Sequence, residues 1–201
     1  AAGLPVSMLE ADPARAQAAR AEFSERNPDE TWAELTMTAS VGDAVRNATF
    51  VIECITERLD AKRNLFETVD QYIDPASTTV ASSSSVLMPS EIFDGLAMAA
   101  SALVAHPLNP PEAIPMVELV PSPSTEPITM DRAEAFYSEI GMSPVRLSRE
   151  VSGFVSNRLQ AALLREAYML VSIAGDVVRI APWLPLSLSV TAQAPTERIA
   201  P

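Results

Sequence analysis

The chain reads as an α/β protein with a doubly wound, mostly parallel sheet over residues 1–150, followed by the start of an all-α segment over 151–171. Three observations predict this. Short apolar runs alternate with longer stretches of helical periodicity, the order that builds strand–helix–strand crossovers. Runs such as Phe50-Val51-Ile52 and Leu103-Val104-Ala105 are continuous rather than alternating, the pattern of strands covered on both faces. After Leu147 the period changes, and Leu159, Leu163, Leu164, Ala167 and Leu170 share one helical face.

Taken in order, Pro5 to Glu10 predicts a strand that turns at once into a helix, with Asp12 as N-cap, Pro13 at the first helical position and alanine-rich turns to about Arg26. Residues 27–34 are polar and turn-like. Leu35 to Ala39 predicts a short strand, and Ser40 caps a short helix through Val45. Thr49 to Ile55 has the composition of a central parallel strand, and Leu59, Leu65, Phe66, Val69 and Ile73 give the helix from Leu59 to Tyr72 its buried stripe. Thr78 to Ala81 is a strand running into four serines, Ser82 to Ser85, and Pro89 starts a brief helix that Gly95 ends. Two strands, Ser101 to Ala105 and Met116 to Val120, flank a proline-rich loop. A helix from about Thr125 to Ile140 is closed by Gly141, and Ser143 to Leu147 is the last strand. Residues 172–201 contain four prolines and no helical pattern of useful length, so an irregular tail is expected.

With 201 residues, 48% of them hydrophobic, the chain can bury a substantial core. Its net charge of −12 argues against a nucleic-acid surface, which needs clustered Lys and Arg that this chain lacks. Cys54 lies in an apolar run and is expected to be a buried small residue, and a single cysteine builds no disulfide framework. There is no signal-peptide pattern and no apolar span of membrane length. A cytoplasmic protein without nucleic-acid, membrane or metal partners is expected.

The residues with chemistry gather at predicted strand ends. His106 is the only histidine and follows an apolar strand, so a group that exchanges protons near neutral pH sits where α/β sheets place catalysis. Glu118 is the one charged member of its strand and needs a partner, for which His106 is available. On residue chemistry alone a second reading stands equally: a hydrogen-bonded strand-end histidine and a glutamate facing solvent. Glu10 ends the first predicted strand, where an acidic residue accepts hydrogen bonds from ribose hydroxyls in dinucleotide-binding folds, although from this residue alone an ordinary solvated glutamate is the favoured reading. Glu57, Arg58, Lys62 and Arg63 lie at another strand-to-helix junction, and a solvated first turn would explain them as well. No Gly-x-Gly occurs anywhere, so the glycine-rich phosphate turn is expected to be absent and the chain to start after it.

The string His106-Pro107-Leu108-Asn109-Pro110-Pro111, followed by Met116-Val117-Glu118-Leu119-Val120, resembles the 3-hydroxyacyl-CoA dehydrogenase family, and the longer string Asn109-Pro110-Pro111 through Ile114-Pro115-Met116 to Pro121 is most similar to its lambda-crystallin branch, which includes L-gulonate 3-dehydrogenase. Gly153-Phe154-Val155-Ser156-Asn157-Arg158 is similar to that family's entry into its helical dimerisation domain. The resemblance covers about Leu4 to Leu170. It implies a Rossmann-like domain, NAD as cofactor, a hydroxy acid or hydroxyacyl-CoA as substrate, a place in fatty acid metabolism and a homodimeric parent. It also implies roles for individual residues. His106 becomes the general base and Glu118 its partner; Ser85, twenty-one residues ahead of His106, and Asn157 contact substrate. Glu10, Glu57, Lys62, Ser85 and Asn109 approach the cofactor.

Such a site would oxidise a secondary alcohol. A neutral imidazole takes the hydroxyl proton as hydride leaves carbon, and a carboxylate on the other ring nitrogen holds the tautomer and stabilises the imidazolium. Ser85 and Asn157 would stabilise charge on the substrate oxygen. A carboxylate at Glu10 favours NAD over NADP. The readings carried forward are 3-hydroxyacyl-CoA dehydrogenase-like oxidation, L-gulonate 3-dehydrogenase-type activity on a hydroxy acid, and a non-catalytic, crystallin-like structural protein. A hydrolase is disfavoured, because no Gly-x-Ser-x-Gly elbow is present.

Overall fold

The computed structural model describes residues 4–26 and 35–174. The expectations for residues 1–3, for the turn at 27–34 and for the tail beyond 174 lie outside them. The chain divides into two compact units, Ala1–Phe154 and Val155–Pro201.

The first unit opens with β1 (Val6–Leu9), α1 (Pro13–Arg26) and β2 (Leu35–Thr38). Asp12 caps α1 as expected: its Oδ1 accepts the Ala14 N–H at 2.9 Å and the Arg15 N–H at 3.4 Å. A helical crossover makes β1 and β2 parallel, with Val6 opposite Leu35 and Leu9 opposite Thr38. Then follow α2 (Val41–Val45), capped by the Ser40 hydroxyl, β3 (Phe50–Glu53), α3 (Leu59–Val69), β4 (Thr79–Ser82) and α4 (Pro89–Phe93). A 3-10 turn, Ala97–Ser101, leads into β5 (Ala102–Pro107), and the unit continues with β6 (Met116–Pro121), α5 (Pro127–Glu139) and β7 (Ser143–Arg146).

Five strands form the main sheet in the order β3-β4-β5-β6-β7. Neighbours are parallel except β5 and β6. The loop between those two holds residues 108–115 and no helix, too short for a crossover, so the chain must reverse. Because side chains alternate across a strand, the sheet separates two apolar clusters. Val80, Ala102, Val104 and Val120 face Phe66 and Val69 of α3, Ile92 and Phe93 of α4, and Phe154. Ala81, Leu103, Ala105, Val117 and Leu119 face Met130, Ala133 and Tyr137 of α5. The sheet is thus covered on both faces, as its continuous apolar runs predict. Each fully buried side chain such as Phe66 or Leu103 contributes about 1.5–3 kcal/mol.

Some expectations are corrected. The strand expected to be central, β3, is the outermost of its sheet, and Ile52 is 45% exposed, because among the described residues only β4 pairs with it. Cys54 is exposed rather than buried, since β3 ends at Glu53 and Cys54 already belongs to the turn beyond. The helix expected to reach Tyr72 ends at Val69, with turns beyond it. His106 lies within β5 rather than past its end, because antiparallel pairing with β6 extends the strand to Pro107.

The second unit contains α6, Ser156–Ala174, which includes the first three residues of the expected tail. Leu159, Leu163 and Leu170 on it are exposed. No helix among the described residues is long and apolar enough to cross a membrane.

Candidate active site

Strands β3, β4 and β5 run in one direction, with Glu53 level with Ser82 and Ser82 level with Val104. Their C-terminal ends therefore bring three short stretches to one sheet edge: Glu53 to Glu57, Ser82 to Ser85, and His106. That is the edge at which open α/β sheets bind ligands.

His106 and Glu118 are paired directly in the β5–β6 register, so their side chains leave the same face of the sheet. His106 Nδ1 lies 2.9 Å from Glu118 Oε2. The histidine is 7% exposed and the glutamate 1%. Against an ionised carboxylate, which only accepts, Nδ1 is the donor of this contact, and Nε2 is the ring nitrogen outside the pair. The Phe154 ring packs beside the imidazole, centroids 5.5 Å apart. Phe154 is fully buried with φ 48°, after Gly153 with φ 75°, so a left-handed turn delivers this ring.

A second cluster joins β3, α3 and β4. Lys62 is 1% exposed, and its ammonium donates to both oxygens of Glu53, at 2.7 and 2.9 Å. Glu53 also accepts the Ile55 N–H on Oε1 at 2.5 Å and the Ser82 hydroxyl on Oε2 at 2.6 Å. Such saturation is what allows an ion pair to be buried. Lys62 Nζ is 3.4 Å from Glu57 Oε2. The other oxygen of Glu57 accepts the Ser84 hydroxyl, the Ser85 N–H at 3.0 Å and the Val86 N–H at 3.2 Å. Burial raises the Glu57 carboxyl's pKa, but the Ser84 hydroxyl, the Val86 and Leu87 backbone and the Lys62 charge together hold it below its ordinary range.

The four serines therefore divide. Ser82 and Ser84 are buried and tie down Glu53 and Glu57, whereas Ser85 is exposed at the edge. Glu10 directly follows β1; its Oε1 accepts the Asp12 N–H at 3.0 Å and its Oε2 lies 3.6 Å from Arg15 Nε. Asn109 is exposed in the loop after β5, and its peptide bond to Pro110 is cis. Asn157 lies in the first turn of α6, in the other unit. Sequence reasoning missed Glu53, Ser82, Ser84 and Phe154. Glu53 carried a usable signal, a carboxylate inside an apolar run, the same that marks Glu118.

The donor set suits a dinucleotide in part. Glu10 and Glu57 are partly exposed carboxylates at strand ends, fit to accept from ribose hydroxyls. The described residues supply no glycine-rich turn for a pyrophosphate, and no group of three or more metal-ligating side chains.

A family model described as the 3-hydroxyacyl-CoA dehydrogenase NAD binding domain matches residues 2–151. Lambda-crystallin of Oryctolagus cuniculus is 45% identical over 143 residues, 71% of this chain and 44% of that protein. An L-carnitine dehydrogenase of Streptomyces griseus is 42% identical over 138 residues, 69% of this chain and 41% of that protein. Among solved structures, 5-formyl-3-hydroxy-2-methylpyridine 4-carboxylic acid 5-dehydrogenase, an NAD+-dependent dismutase, superposes with a TM-score of 0.77 at 31% identity, covering 87% of this chain and 60% of that one. The chain spans less than half the length of the curated relatives it matches.

Proposed function

Since the chain belongs to the 3-hydroxyacyl-CoA dehydrogenase family through its NAD-binding domain, we propose that the protein oxidises the 3-hydroxyl group of a small hydroxy acid or hydroxyacyl thioester. The observation that carries this reading is the buried His106–Glu118 pair at the ligand edge of the sheet.

The reaction removes a proton from oxygen and a hydride from carbon, leaving a ketone. A bound NAD would supply the hydride acceptor. His106 Nε2 takes the hydroxyl proton as general base and returns it in the reverse direction. Glu118 holds the ring through Nδ1 and offsets the positive charge that forms. Ser85, exposed at the end of β4, and Asn157 are assigned to the substrate oxygen, while Glu10, Glu57 and Asn109 are assigned to the cofactor. Lys62 is assigned to the cofactor site through its contact with Glu57.

Two substrate classes remain in view. The likeness to L-carnitine dehydrogenase supports a small 3-hydroxy acid, and the family description supports a hydroxyacyl-CoA. The likeness to lambda-crystallin supports a structural role as the second reading. NADH formation by the full-length protein with L-gulonate, L-carnitine and a short (S)-3-hydroxyacyl-CoA, wild type beside His106→Ala, separates them. Turnover of one substrate, reduced roughly a hundredfold or more by the alanine, is the expected result. Turnover unchanged by the substitution would sink the assignment of His106, and NADH binding without turnover of any substrate would favour the structural role.

The exposed leucines of α6 support a homodimer of the full-length protein. Sedimentation as a monomer at micromolar concentration would argue against it.

A further inference from the structure

We propose that Glu53 is a positioning residue: by drawing the Lys62 ammonium to itself it leaves the second oxygen of Glu57 available to the cofactor. The inference rests on the cofactor role assigned to Glu57 above.

Two carboxylates and one ammonium share this cluster, which leaves one negative charge in surplus. The distances show where it resides. Lys62 Nζ lies 2.7 and 2.9 Å from the two oxygens of Glu53 but 3.4 Å from Glu57 Oε2. Glu53 and Lys62 side chains are each 1% exposed, whereas that of Glu57 is 35% exposed. The neutralised pair is thus inside, and the surplus charge is displayed at the sheet edge. Capacity for hydrogen bonds points the same way. Both oxygens of Glu53 are occupied, by Lys62 with the Ile55 N–H and by Lys62 with the Ser82 hydroxyl. Glu53 therefore has nothing to offer a ligand directly. Glu57 Oε1 accepts from Ser84, Ser85 and Val86. Oε2 is the oxygen with capacity left for a ribose hydroxyl, and it is also the one Lys62 would take if Glu53 released it.

A residue that merely stabilises the fold would change the melting temperature and leave the affinity of the folded protein alone. Glu53 as proposed changes affinity, and does so only while Lys62 is present. The test is NADH titration of the full-length protein by nucleotide fluorescence, at a temperature where each variant is folded. Glu53→Gln is expected to weaken NADH binding about tenfold, as a charge-assisted hydrogen bond is lost to internal competition. Glu53→Asp, which keeps the charge but withdraws it from the ammonium, should weaken binding in the same direction by about threefold and serves if the glutamine variant does not fold. Glu53→Gln combined with Lys62→Met removes the competitor and should bind NADH about threefold or more tighter than Glu53→Gln alone. Affinity unchanged in the folded Glu53 variants, or a double variant that binds no tighter than Glu53→Gln alone, overturns the proposal. Glu57→Gln separates it from the reading beneath: if that variant binds NADH like wild type, the cofactor role of Glu57 fails and the inference with it. If Glu57→Gln weakens binding while the Glu53 variants do not, the inference alone fails.

Discussion

His106 and Glu118 stand directly opposite each other across the antiparallel β5–β6 ladder, with Nδ1 and Oε2 2.9 Å apart. Their relationship is a matter of register. A one-residue slip would send one of the two side chains to the opposite face and leave a buried carboxylate without its partner.

The pair predicts the behaviour of Glu118→Gln in the full-length protein. An amide can donate as well as accept, so it no longer holds the hydrogen on Nδ1 and no longer offsets an imidazolium. Turnover should fall by about 10²–10⁴-fold. NADH affinity, measured by fluorescence titration, should change little, because neither atom of the pair belongs to the cofactor's assigned contacts. A loss of affinity in proportion to the loss of rate would point to a structural fault.

Lys62→Met should be among the most damaging single changes to stability. It leaves the Glu53 carboxylate buried beside Ser82 and Ile55 with no cation, at a cost of about 3–5 kcal/mol. Replacing both partners, with Glu53→Gln added, should recover most of that loss, because a neutral pair of similar volume carries no uncompensated charge. Urea denaturation of the two variants beside wild type checks the difference; equal losses would contradict it.

Glu57 makes a prediction in pH. Its folded carboxyl is held below the ordinary value of 4.5, so its contribution to stability is fully present above that value and is lost as pH falls through the lower, folded one. The difference in melting temperature between wild type and Glu57→Gln should therefore be constant from neutrality down to about pH 5 and shrink only in more acid solution. A difference that already shrinks between about pH 7 and 5 would mean that the Ser84, Val86 and Leu87 hydrogen bonds do not hold the ionised form.

Gly153→Ala should destabilise by about 1–2 kcal/mol, since φ is 75° and an L side chain is strained in the left-handed region. Phe154→Ala should cost more, about 3–5 kcal/mol, by emptying a fully buried ring site beside His106. Thermal unfolding of both variants orders them; Gly153→Ala as the worse of the two would show that the turn, rather than the ring, holds this corner.

Much of the fold was legible because its signals are local. The Asp12 and Ser40 caps, the glycines that close helices at Gly95 and Gly141, and the continuous apolar runs of β4 and β5 all act within a few residues of where they are read. Of the site, Glu118 was legible as a carboxylate in an apolar strand in need of a partner, and His106 as the only imidazole. The roles of the two together required the resemblance to a family, as did those of Ser85 and Asn157.

What the sequence determined by itself is the order of strands and helices and the strand ends where chemistry collects, because period, caps and breakers are properties of neighbouring residues. Only the tertiary structure decided that β3 is the outermost strand of its sheet among the described residues, that Cys54 is exposed, that Lys62 is buried between Glu53 and Glu57, and that Ser82 and Ser84 hold carboxylates while Ser85 faces outward. Those facts depend on which strand lies beside which and in what register. A lysine nine residues from a glutamate is an ordinary surface pair until the sheet and α3 close over both and make each the other's main substitute for water.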